Sequence, residues 1–100
     1  MFKAIILLTR KPGATREEFR HWWLGEHAGL ARQLPGLRGL RFNLVTTEDA
    51  EPDGVSELWF DSREDFEAAY ESEIGKCVAA DSLANVGRRE RLFVDEHTIV

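Results

Sequence analysis

Between Thr15 and Leu34 the apolar positions recur at helical spacing. Phe19, Trp22, Trp23, Glu26, His27, Leu30 and Leu34 share one face in an i, i+3, i+4, i+7 pattern. Thr15 with Glu18 three residues later forms a capping box that starts this helix, and Pro35-Gly36 ends it. Gly25 and Gly29 weaken it by about 1 kcal/mol each relative to alanine, unless they let a strand, helix or ligand approach closely. Before the helix, Ala4-Ile5-Ile6-Leu7-Leu8 is continuously apolar, which predicts a strand buried on both faces. After it, residues Leu37 to Thr46 alternate, with Leu40, Phe42 and Leu44 opposed to Arg41, Asn43 and Val45. Glu48 to Gly54 is an acidic loop. Val55 to Phe60 is a third strand, with Leu58 and Phe60 opposed to Val55, Glu57 and Trp59. Ser62, with Asp65 three residues on, opens a second helix with the stripe Phe66, Ala69, Tyr70, Ile74. Gly75 is expected to interrupt it, Lys76 to Ala84 to form a further short helix, and Arg91 to Val100 to supply the last strand.

The order β-α-β-β-α-β is the split plan of a ferredoxin-like antiparallel sheet, an α+β fold with its helices on one face. A first strand that is apolar on both sides then needs a cover for the other sheet face. A second copy of the same sheet is the economical one, so a homodimer with facing sheets is expected.

One hundred residues make one domain, residues 1–100, with no repeat or linker. A chain this short has little area for a deep private pocket. The net charge of −5 and the absence of a dense basic face argue against nucleic-acid binding. Arg88, Arg89 and Arg91 lie among Glu90, Asp95 and Glu96, as on a solvated face. The one cysteine, Cys77, excludes an intrachain disulfide and reads as inert packing among small apolar residues. The apolar run near the start is too short for a signal-peptide core or a membrane span, which implies a cytoplasmic protein with no membrane partner.

Candidate chemistry centres on His27. Imidazole changes charge near neutral pH, and the stripe places this one beside an aromatic wall. The competing reading is a structural histidine bonded to a carbonyl or a neighbour. Trp22, Trp23 and Trp59 serve equally as core or as the apolar wall of a cleft. Glu57, inside a strand, is either paired to an arginine or a partner that raises the basicity of His27. His97 reads as an interface or surface residue. His21 and His27 are six residues apart and do not share a helix face, so no metal is expected. No phosphate loop is present, so no nucleotide cofactor is expected either.

The chain resembles the EthD family of dimeric α+β barrel proteins. The resemblance rests on the first strand with Arg10-Lys11-Pro12-Gly13, on Phe19, Trp23 and His27, and on Leu34-Pro35-Gly36-Leu37. Glu57-Leu58-Trp59-Phe60-Asp61-Ser62 and Phe93-Val94-Asp95-Glu96-His97-Thr98-Ile99-Val100 extend it over nearly the whole chain. Proteins of this family include methylmuconolactone isomerase-like lactone isomerases of aromatic degradation, fungal polyketide dehydratases and proteins encoded beside ether-degrading oxidases. The resemblance implies a small cleft between helices and sheet with a helix histidine at its edge, here His27. Members often carry a tyrosine three residues after the leucine of the Pro-Gly-Leu piece; here that position is Leu40, which removes a phenolic proton donor.

The resulting expectation is a cofactor-free homodimeric enzyme. It would carry out isomerisation, dehydration or oxidation on a small apolar ring compound, such as a lactone or an aromatic or polyketide intermediate. His27 and Glu57 are the candidate catalytic residues. Trp22, Trp23, Leu40, Phe42, Trp59, Phe66 and Tyr70 are the candidate substrate-binding ones. The alternative is a non-catalytic ligand-binding or accessory protein of an oxidative degradation pathway.

Overall fold

Four strands and two helical stretches succeed one another in the predicted order. The structure, a computed structural model, describes residues 1–100. Its elements are β1 (Phe2–Arg10), α1 (Arg16–Trp22), a π-helical turn (Trp23–His27), α2 (Ala28–Ala31), β2 (Gly39–Leu44), β3 (Gly54–Phe60), α3 (Arg63–Glu71), α4 (Glu73–Asn85) and β4 (Val86–Val94). The sheet order is β2-β3-β1-β4 and every neighbouring pair is antiparallel, the ferredoxin-like arrangement. Thr15 and Glu18 form the expected capping box, and the Ser62 hydroxyl accepts from Asp65 N–H to start α3. No helix is long and apolar enough to cross a membrane.

Strand parity sorts the sheet into two faces. Ala4, Ile6 and Leu8 of β1 and Ser56, Leu58 and Phe60 of β3 are buried under the helices. Ile5, Leu7, Val55, Glu57 and Trp59 point to the opposite face, which no helix covers, and are only half-buried. The continuous apolar run of β1 therefore reflects two faces with different covers. The molecule is only 18 Å thick along its shortest axis, the depth of one sheet and one helical layer.

Two elements differ from the sequence reading. The last strand runs from Val86 to Val94 rather than from Arg91 to Val100, because pairing with β1 extends from Val94 back to Val86, across a register shift at Gly87. The second helical stretch breaks at Ser72, not at Gly75. Ser72 sits in an extended conformation, its hydroxyl donates to the Ala69 carbonyl, and it accepts from Gly75 N–H to cap α4. Gly75 lies inside α4 for a packing reason: a Cβ there would stand 2.0 Å from the Ala69 carbonyl oxygen. Only glycine lets the first turn of α4 sit this close to the end of α3.

The first long helix also departs from a regular α-helix. The Ala28 N–H reaches back to the Trp23 carbonyl, five residues away, which closes a wider turn. The wider turn changes the facing of the residues around it. Glu26 becomes exposed, while His27 and Ala31 turn inward. Gly25 and Gly29 have open space around them, so neither serves a close approach.

Candidate active site

His27 leaves the π-helical turn and enters the space between helices and sheet, where only 5% of it is exposed. It is more deeply set than an edge position. Its imidazole packs 4.8 Å from the Trp22 ring and 6.0 Å from Phe42, nearly parallel to the latter. Trp23 stacks on the other side of this wall, 4.4 Å from Phe42 with ring planes 3° apart.

The partner of His27 is Asp81, on α4. Asp81 Oδ2 lies 2.9 Å from His27 Nδ1 and also accepts from Trp22 Nε1–H at 3.1 Å. An indole N–H can only donate, so this oxygen is an acceptor and Nδ1 must carry the proton toward it. Nε2 is left with its lone pair. The Ser82 hydroxyl is 3.3 Å from Nε2, and Ser82 is itself buried. Asn85 Nδ2 donates to Asp81 Oδ1 at 3.2 Å and steadies the carboxylate from behind.

Burial pushes the imidazole below its usual titration range. Asp81 resists that shift, and the positive charge of Arg89 adds to it. The neutral form is favoured, with one nitrogen anchored and the other aimed inward. That is the arrangement of a general base.

A small cavity of about 10 Å³ lies beside His27 and is lined by His27, Leu40, Phe42, Ser56, Tyr70 and Ser82, among other residues. It has room for about one water molecule. Immediately outside, Leu24, Ala28, Arg32, Leu40 and Phe42 line an open groove of about 380 Å³. Leu40 and Phe42 thus stand between groove and cavity.

The predicted residues separate into three groups. His27, Leu40, Phe42 and Tyr70 line the cavity. Trp22, Trp23 and Phe66 back it: Trp22 through the His27 ring and Asp81, Trp23 through Phe42, and Phe66 through Tyr70 at 5.0 Å. Glu57 and Trp59 lie on the opposite face of the sheet. There Glu57 pairs with Lys3 at 2.9 Å and with Asn43, not with an arginine or with His27. The pairing holds its carboxyl below the usual range. Trp59 Nε1–H donates to Glu96, and its ring lies 4.6 Å from the Lys3 ammonium. Parity explains both placements, since Ser56 and Leu58 occupy the cavity face and their odd-numbered neighbours point away.

Asp81 and Ser82 carry no site signal in the spacing pattern of the sequence, and Arg89 carries one only as part of a basic cluster. Asp81 is an acid in an otherwise small-residue helical stretch, and that contrast was its one signal. Arg89, expected on a solvated face, is half-buried on the helix face of β4. Cys77 is exposed on α4 rather than packed. His21 is exposed, and His97 is exposed beside Asp95.

Comparison with known proteins agrees with this architecture. The profile of the EthD domain matches residues 11–86. A crystal structure of an ethyl tert-butyl ether D (EthD) family protein from Bacillus halodurans superposes with a TM-score of 0.81 at 23% identity, covering 97% of this chain and 100% of the other. A dimeric protein of unknown function with a ferredoxin-like fold from Bacteroides fragilis gives 0.75 at 11% identity, over 95% of each chain. SnoaB, a cofactor-independent oxygenase from Streptomyces nogalater, gives 0.73 at 14% identity, over 98% of this chain and 95% of that one. No curated protein sequence matches the chain.

Proposed function

Since this chain belongs to the EthD family, we propose that it is an enzyme in which His27 takes and returns a proton on a small, largely apolar ring compound. The carrying observation is the chain Ser82–His27–Asp81 at the wall of an aromatic-lined cavity. Asp81 fixes the tautomer. The aromatic shell keeps the imidazole neutral and excludes water. Ser82 occupies Nε2 at 3.3 Å, a long contact that an incoming C–H or O–H group would displace. Proton removal next to a carbonyl is the shared first step of isomerisation, dehydration and cofactor-free oxidation. That a fold of this kind supports a cofactor-independent oxygenase, SnoaB, is compatible with this reading.

The closed cavity is too small for a ring, so binding requires Phe42 and Leu40 to swing aside and join it to the groove. We further propose that the uncovered sheet face is closed by a second copy, giving a homodimer.

One observation favours the second reading, a non-catalytic carrier: Leu40 brings no acid–base group to the cavity wall. A single experiment separates the two. The protein is incubated in D2O with an enolisable unsaturated lactone, and C–H exchange is followed by NMR. The enzyme reading expects exchange that falls about 10²-fold or more in His27→Gln, the usual contribution of a positioned general base. A carrier would bind the lactone without exchange and would bind it equally well in the variant.

A further inference from the structure

We propose that Arg89 and Tyr70 form an oxyanion subsite of the His27 cavity, which receives a carboxylate or enolate oxygen of the bound ring compound. This deepens the ring-binding reading of the cavity and rests on it.

Strand register supplies the placement. Arg89 is paired directly with Leu8 across β4 and β1, so their side chains share one face. Leu8 lines the cavity. Arg89 therefore rises from the helix-covered face of the sheet beside Leu8, just outside the lining of the closed cavity.

Beyond its contact with the Tyr70 hydroxyl, its guanidinium is short of partners. Nε is buried and makes no hydrogen bond. The other arginines near this end of the sheet are occupied: Arg88 pairs with Glu90 at 2.8 Å, and Arg91 lies over the Phe66 and Phe93 rings. A half-buried guanidinium with an unmade hydrogen bond is costly, and an anionic oxygen is the group that would satisfy it.

Tyr70, the only tyrosine of the chain, lines the same cavity from α3. Burial raises its phenol above the usual range, so it is protonated and able to donate. The positive charge of Arg89 acts on both groups, opposing the rise of the Tyr70 phenol and adding to the fall of the His27 imidazole. When His27 removes a proton beside a carbonyl, the C–H electron pair moves onto the carbonyl oxygen. A guanidinium and a phenol donor facing a neutral base are suited to hold that developing charge. The phenol that Leu40 fails to supply from β2 arrives instead from α3.

Binding of benzoate, 4-nitrophenolate and benzyl alcohol to the full chain, measured by calorimetry and by NMR of the Arg89 Nε–H signal, tests this. The subsite expects an anionic probe to bind about tenfold or more tighter than benzyl alcohol, the range of one charge-assisted hydrogen bond. The Nε–H signal should move with the anion. Preference for benzoate would identify a carboxylate subsite, and preference for 4-nitrophenolate an enolate-like one. In Arg89→Gln the ratio of anionic to neutral affinity should fall to about one. Should that variant not fold, Tyr70→Phe carries the test, with a several-fold loss of the same ratio. Equal affinities in the wild type, or a ratio unchanged in the variants, would overturn the subsite while leaving ring binding intact. Failure of all three probes to bind would overturn the ring-binding reading and the subsite with it.

Discussion

At the scale of single residues, His27 is governed by burial and two charged neighbours, with opposed effects. Burial lowers its titration, Asp81 raises it and Arg89 lowers it. Each effect has a signed consequence. Asp81→Asn should move the His27 midpoint further down, and Arg89→Gln should move it up, both measurable by NMR titration of the ring protons. Folding stability is tied to the same shift. A histidine whose folded value lies below its unfolded value, near 6.5, is protonated more readily in the unfolded chain. Its contribution is fully present above that unfolded value and is lost as pH falls through the lower folded one. Urea midpoints recorded on either side of pH ~6.5 should show this acid-side loss in the wild type and a reduced loss in His27→Gln. His27 was legible in the sequence because an imidazole on an aromatic stripe is unusual. Asp81 was not, since it meets His27 across 54 residues of chain and nothing in its local spacing points to it. Strand parity alone sets Glu57 apart from His27. The strand alternation that put Leu58 and Phe60 inside also put Glu57 outside, whereas a partner for His27 had to come from the helix side.

At the scale of elements, the site depends on two departures from regular geometry. The π-helical turn carries Trp23 and His27 inward together, and its extra width could not be read from a pattern that fits an ordinary helix nearly as well. The α3–α4 corner sets Tyr70. There Gly75 approaches so closely that a Cβ would lie 2.5 Å from Tyr70 Cα and 2.0 Å from the Ala69 carbonyl oxygen. Both obstacles are backbone and neither yields cheaply. Gly75→Ala should therefore cost at least the ~1–3 kcal/mol typical of overpacking, and should disturb the Tyr70 resonances. Gly29 provides the contrast. It is helical, exposed and has open space where a Cβ would go. Gly29→Ala should stabilise the chain by about 1 kcal/mol through helix propensity alone. Chemical denaturation of the two variants checks both signs. If the two glycines behave alike, the packing account of the corner fails.

At the scale of the whole molecule, the fold was the most legible part of the sequence. The alternation in β2 and β3 and the two capped helix starts fix element order, and element order leaves few topologies. The limits of β4 were less legible, because Arg88 to Arg91 interrupts the hydrophobic signal and only pairing with β1 reveals the strand. The uncovered sheet face carries the remaining question. Ile5, Leu7, Val55, Leu92 and Val94 form an apolar band across three strands, flanked by the Lys3–Glu57–Glu96 cluster. A single layer of helices cannot reach this band, and partial burial in the isolated chain leaves apolar area to gain on association. The polar cluster fits that role, since charges already paired within one chain can be brought against a second copy at lower desolvation cost than free ones. Leu7 is the informative position. It lies between Val55 and Glu90 on its neighbouring strands, so Leu7→Arg would place a charge mid-face beside a carboxylate that the isolated chain can use. Light scattering at micromolar concentration should give twice the chain mass for the wild type and a single chain mass for Leu7→Arg, with an unchanged circular dichroism spectrum. A wild type that stays monomeric with an intact sheet would refute the facing-sheet dimer, and so would a Leu7→Arg variant that folds and still pairs.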